Sequence, residues 1–98
     1  MLNDMDFIKT CDVPGPTKEA IRAIILYKSA VTPNDEVVDV GCGTGGITCE
    51  FAQRAKKVTS IDTNPDAISV TKQNLEKFNL GDNVELINMT NSATGCLH

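Results

Sequence analysis

Val37-Val38-Asp39-Val40-Gly41-Cys42-Gly43-Thr44-Gly45-Gly46 is the stretch that decides the fold. Its first four residues read as a buried strand, and four glycines follow within six positions. Glycine there permits a tight turn, brings backbone close to a ligand, and lets the next helix pack against the strand. A strand that opens in this way into a helix makes a cradle at its carboxyl end. The expected architecture is α/β, a Rossmann-like parallel sheet.

The loop satisfies two cofactor patterns at once. Gly41, Gly43 and Gly46 match the dinucleotide fingerprint G-x-G-x-x-G, which is a weak signal by itself. The same residues read D-x-G-x-G-T-G, with Asp39 two positions before Gly41. A pyrophosphate prefers bare backbone N–H groups at a helix N-terminus, and a neighbouring carboxylate costs it energy. S-adenosyl-L-methionine has no phosphate and carries an ammonium and a sulfonium, which an acid at the loop entrance suits. The balance favours S-adenosyl-L-methionine over NAD, with a ligand-free glycine turn as the plainest alternative.

Lys57-Val58-Thr59-Ser60-Ile61 reads as a second strand with Asp62 at its end. This is about the spacing at which the architecture sets a carboxylate on ribose hydroxyls. A carboxylate accepts two hydrogen bonds from a cis-diol. Asp62 is expected to be free for that role, because Asn64-Pro65-Asp66 already supplies an N-cap, a first-turn proline and a first-turn acid.

The remaining elements alternate. Residues 1–16 form an irregular lead ending in Pro14-Gly15-Pro16. Lys18 to Ala30 reads as a helix with Ala20, Ile21, Ile24 and Ile25 as its apolar face, and Thr17 as a plausible N-cap. Thr32 to Asp35 is a turn, and Glu36 to Val40 the first strand. Gly46 to Ala55 is a helix facing the sheet through Ile47, Phe51 and Ala55. Pro65 to Phe78 is a helix with Ile68, Leu75 and Phe78 inward, stopped at Leu80-Gly81, and Val84 to Ile87 is the third strand. Strands alternating with helices imply parallel pairing through right-handed crossovers.

Three stretches together resemble the class I S-adenosylmethionine-dependent methyltransferases: Asp39 to Gly46, Ser60 to Ile68, and Asn74-Leu75 with Gly81-Asp82-Asn83-Val84. The lead Asp6-Phe7-Ile8-Lys9, followed by Val13-Pro14-Gly15-Pro16-Thr17-Lys18-Glu19, narrows the likeness. It resembles the decarboxylating cobalt-precorrin C-15 methyltransferases of cobalamin biosynthesis. The resemblance implies a cofactor site of Thr17, Asp39, Gly41, Cys42, Gly43, Thr44, Gly45 and Asp62. It implies a tetrapyrrole-derived macrocycle as substrate, with methylation at a ring carbon and loss of a carboxylate, and homo-oligomers in the full-length parent. It nominates no catalytic acid or base.

The likeness ends near Asn88. Relatives carry a glycine-aspartate step after the third strand, where Met89 and Thr90 stand here, and their sheet has seven strands against about three in this chain. Residues 1–98 are therefore expected to form a single partial domain with an irregular 88–98, an N-terminal fragment inactive alone. Its third strand is expected to leave an uncovered sheet edge. A methyltransferase of another substrate class, a nicotinamide-dependent oxidoreductase half and a non-catalytic remnant remain as alternatives.

Composition sets outer limits. The net charge of −4 over 98 residues gives no basic face for nucleic acid. No apolar run approaches the roughly 20 residues that span a bilayer, and Met1 to Asp6 does not resemble a signal peptide. The cytoplasm is the expected setting. Cys11, Cys42, Cys49 and Cys96 make no C-x-x-C pair, and His98 is the only histidine, so no metal site is expected and the thiols read as reduced.

Overall fold

The computed structural model describes residues 1–10, 13 and 15–89. A short 3-10 turn, Asp4–Asp6, precedes α1 (Glu19–Ser29), β1 (Glu36–Val40), α2 (Gly46–Ala52), β2 (Lys57–Asp62), α3 (Pro65–Lys77) and β3 (Val84–Asn88). The strands form one parallel sheet in the order β1-β2-β3. In register, Asp39 lies beside Ser60, Val40 beside Ile61, and Asp62 beside Asn88. The three-stranded α/β expectation holds. The expected tail falls almost wholly outside the described residues, as do Cys11, Pro14, Cys96 and His98.

Local chemistry sets the helix ends. At α3 the Asn64 side chain accepts from Asp66 N at 2.9 Å, and Pro65 opens the first turn, as the sequence predicts. At its far end Phe78 caps the helix, Asn79 turns left-handed at φ 56°, and Leu80 N donates to Leu75 O at 2.7 Å. α2 ends at Ala52 rather than Ala55. There the Asn83 amide donates to the carbonyls of both Ala52 and Ala55 at 3.0 Å, satisfying groups the helix would leave orphaned. The expected Thr17 cap is corrected: Lys18 holds the N-cap position without a side-chain bond. The Glu19 N–H donates instead to the Asp4 carboxylate at 3.2 Å, so the lead caps the helix.

Packing forms three small cores. Phe51, Ala55 and Val58 join Ile25, Leu26, Val37 and Ile47 between α1, α2 and the sheet. Phe7, Cys49, Ala52 and Leu75 gather the lead, α2 and α3, with Phe7 edge-on to Phe78 at 5.1 Å. Val13, Ala67 and Val70 form the third.

The expected inward faces of two helices shift. On α1 the only buried residue is Arg22, flanked inward by Ile25 and Leu26, while Ala20, Ile21 and Ile24 are exposed. The rotation follows from the Arg22–Glu50 ion pair at 3.0 Å, which turns that charged residue toward α2. On α3 the buried apolar residues are Ala67, Val70 and Leu75; Ile68 is half-buried and lines a groove between α3 and β3. β1 is also not the buried strand expected. Val38 and Val40 are 61% and 76% exposed, because α1 and α2 leave that face of an edge strand bare. β1 and β3 are both edges, and the exposed strand valines fall on β1 rather than on the third strand.

Candidate cofactor cleft

The glycine loop begins where β1 stops. Gly41 N donates to Ile61 O at 2.7 Å, a last bond to β2 before the chain turns away. Gly41 and Gly43 have φ of 79° and 56°, and a Cβ on either would meet nothing within 4 Å. Their open sides face free space. Gly45, at φ 96°, caps α2, and a Cβ there would lie 2.9 Å from Thr71 Cγ2. A Cβ on Gly46 would lie 2.9 Å from Pro16 Cβ. Two glycines thus leave room above the loop, and two let α3 and the lead pack closely against it.

A cleft of about 210 Å³ opens there. Asp39, Gly41, Cys42, Gly43, Thr44, Gly46 and Ile47 line it from the strand–helix junction, and Gly15, Pro16 and Thr17 from the lead. The lining holds one carboxylate and no lysine or arginine. A larger groove of about 530 Å³ runs between α3 and β3, but no loop glycine and neither Asp39 nor Asp62 reaches it.

Asp39 is half-buried at the cleft floor. Ser60 and Thr48 hydroxyls meet at 2.6 Å, and Thr48 Oγ1 donates to Asp39 Oδ2 at 2.6 Å. Burial raises the Asp39 pKa above 3.8; the Thr48 bond opposes this and the Asp62 charge adds to it. An acid so placed gains from a cation beside it. Asp62 is held as well. Its Oδ1 accepts from Asn64 N at 2.9 Å and its Oδ2 from Gly43 N at 3.2 Å. The expectation that Asp62 stands free is corrected, because the Asx turn into α3 and the loop both use it. A carboxylate has about four lone-pair sites, so capacity for further donors remains.

The other sequence-nominated residues are placed as follows. Thr17 is exposed at the cleft rim, and Thr44 is buried in the loop with its carbonyl bonded by Asn74 Nδ2 at 2.9 Å. The Cys42 side chain turns to α3, where Thr71 Oγ1 lies 3.4 Å from Sγ and donates to Gly43 O at 3.0 Å. Burial pushes the Cys42 thiol pKa up. Burial pushes Cys49 to about 12. Among the described residues Cys42 and Cys49 are free thiols.

Sequence reading missed Thr48, Ser60, Thr71 and Asn74, all fully buried. Ser60 left a signal, since it shares the inward face of β2 with Val58 and is polar where the strand pattern asks for an apolar residue. Thr71 and Asn74 left a weaker one, being polar residues in α3 on the face that carries Ala67 and Val70.

A family model described as a methyltransferase domain matches residues 31–90. A Methanobrevibacter smithii protein named "probable cobalt-precorrin-6B C(15)-methyltransferase (decarboxylating)" is 97% identical over 92 residues, which cover 94% of this chain and 49% of that protein. A Methanothermobacter thermautotrophicus protein of the same name is 51% identical over 87 residues, 89% of this chain and 45% of that one. The crystal structure of a precorrin 8W decarboxylase from Methanobacterium thermoautotrophicum superposes with a TM-score of 0.91 at 46% identity, covering 100% of this chain and 53% of the other. The chain spans about half the length of the curated relatives it matches.

Proposed function

The chain belongs to the methyltransferase-domain family, and from that membership we propose that it forms the S-adenosyl-L-methionine-binding part of an enzyme that methylates and decarboxylates a cobalt-precorrin. The observation that carries the cofactor is the cleft's donor set. Backbone and one half-buried acid line it, a second acid braces the loop, and basic side chains are lacking among the lining residues. This fits a cationic, phosphate-free ligand and disfavours a pyrophosphate. The open space above Gly41 and Gly43 lets that ligand touch backbone.

In this reading Asp39 faces the ammonium end and Asp62 accepts the ribose hydroxyls. Gly41, Cys42, Gly43, Thr44 and Gly45 supply the backbone floor, and Thr17 the rim. When bound, S-adenosyl-L-methionine supplies an electrophilic methyl group. The chain's residues hold it so that nucleophile, carbon and sulfur can align. The substrate assignment rests on the names of the relatives and the near-identity to one of them. A cytoplasmic setting and a small-molecule substrate belong to the same reading; among the described residues no helix is long and apolar enough to cross a membrane.

Calorimetry on the chain with S-adenosylhomocysteine and NAD in parallel tests the cofactor. Binding of the first alone is the expected result, and binding of NAD alone overturns the reading. The substrate is tested in a protein of the relatives' full length, by transfer of a labelled methyl group to a cobalt-precorrin with release of carbon dioxide.

A further inference from the structure

Among its described residues the lead contains one three-residue turn, yet Phe7 and Val13 are 5% and 1% exposed. Two buried polar side chains on the helices hold it. Arg22 of α1 is fully buried. Its Nε donates to Glu50 Oε2 at 3.0 Å, Nη1 to Asp4 Oδ1 at 2.5 Å and to Thr17 O, and Nη2 to Leu2 O at 2.5 Å. Its guanidinium carbon lies 5.2 Å from the Phe7 ring centroid. Asn74 of α3 mimics a backbone partner for the lead: it accepts from Ile8 N at 2.6 Å and donates to Ile8 O at 2.9 Å. Its amide also donates to Thr44 O, which ties the same segment to the glycine loop.

A buried ion pair adds little net stability, since desolvation offsets much of its attraction. Arg22 is therefore better explained by what it positions. Three of its four partners lie in residues 2–17, and one of them, the Thr17 carbonyl, belongs to the segment Gly15–Thr17 that walls the cleft. A flat fork of N–H donors can hold several acceptors at set angles, which a lysine cannot do.

Resting on the cofactor reading above, we propose that Arg22 is a positioning residue for the cofactor: by gripping the Thr17 carbonyl together with Asp4 and Leu2, it holds Gly15–Thr17 against Gly46 as the second wall of the cleft. The glycine loop supplies the floor, and the lead's wall exists only while that grip holds. Arg22 touches no ligand itself and acts through Thr17 and Pro16.

The test compares wild type, Arg22→Lys and Asp4→Asn for S-adenosylhomocysteine affinity by calorimetry and for amide hydrogen exchange. Lysine keeps the charge opposite Glu50 but loses the fork. Asp4→Asn leaves the Arg22–Glu50 pair intact at a side chain 32% exposed, and an amide oxygen can still accept from Glu19 N, so that variant disturbs the fold less than the first. Arg22→Lys is expected to weaken binding roughly tenfold, the scale of a lost hydrogen bond to a charged group. Asp4→Asn is expected to weaken it about threefold, as for a partly exposed ion pair. In wild type S-adenosylhomocysteine should slow exchange at Gly15 and Thr17; in Arg22→Lys that slowing should vanish while β2 amides stay protected. Unchanged affinity in both variants, or loss of affinity only in step with loss of β2 protection, overturns the proposal and leaves the cofactor reading standing. A wild-type chain that ignores S-adenosylhomocysteine removes the cofactor reading, and the proposal with it.

Discussion

Alanine substituted at Gly41 and at Gly45 separates binding from stability within one loop. Both positions have positive φ, 79° and 96°. An L-residue there costs about 1–2 kcal/mol, offset by about 0.4–1 kcal/mol because alanine restricts the unfolded chain. Gly41→Ala meets no atom within 4 Å and should lose only the difference, about 1 kcal/mol. Gly45→Ala sets its methyl 2.9 Å from Thr71 Cγ2, 3.0 Å from Oγ1 and 3.2 Å from Cα. The last is backbone and cannot swing aside, so an overpacking cost of about 1–3 kcal/mol adds to the strain. The sum for Gly45→Ala is about 2–4 kcal/mol. For a domain of this size 1 kcal/mol moves Tm by about 4–8 °C, so Gly41→Ala melts about 4–8 °C low and Gly45→Ala at least about 8 °C low. Binding should rank the other way when measured on the folded fraction. The Gly41 methyl would stand in open space on a cleft-lining residue and should cut S-adenosylhomocysteine affinity more than the Gly45 methyl, which points at α3. Circular dichroism melts and calorimetry on the same samples read both quantities. Equal loss of stability at the two positions would refute the argument that Thr71 packing makes Gly45 obligatory.

Removing the second acid, Asp62→Ala, should weaken S-adenosylhomocysteine binding by about 1.5–3 kcal/mol; unchanged affinity with a lowered Tm would leave Asp62 only its turn to Asn64 and its bond to Gly43. Asp39 carries a pH signature: its folded pKa is raised, so the native state binds more protons than the unfolded one and stability falls as pH rises from about 3.8 through the folded value. Asp39→Asn should flatten that fall in urea titrations across pH and be more stable than wild type at pH 7 while binding cofactor worse; lower stability at pH 7 would show the carboxylate to be needed for folding. Val38 and Val40 on the bare side of β1 invite edge association. The pair Val38→Lys and Val40→Lys should sediment as a monomer at concentrations where wild type associates, with a stability change within about 0.5 kcal/mol for each surface residue; association unchanged by the lysines would place the contact elsewhere.

What the sequence determined by itself was local and periodic. The Asn64-Pro65-Asp66 cap, the strand running into Gly41, and the alternation of strands with helices each depend on neighbours within a few residues, where side-chain spacing dictates backbone geometry. The parallel pairing of the strands followed because each pair is joined by a crossover helix, while their order in the sheet came from the structure. The candidate acids were legible as well, Asp39 from its place before the glycines and Asp62 from its distance after them. Tertiary structure alone decided which groups those acids meet. Thr48 reaches Asp39 from nine residues away, and Gly43 N reaches Asp62 from 19. The same holds for Asn74, whose amide meets Ile8 66 residues off. The inward face of α1 was hidden for that reason too: Ile21 and Ile24 have helical spacing, but the burial of Arg22 against Glu50, 28 residues away, sets the helix's rotation. Hydrophobic periodicity reports that a helix has an apolar face; it does not report that a long-range ion pair will turn another face inward.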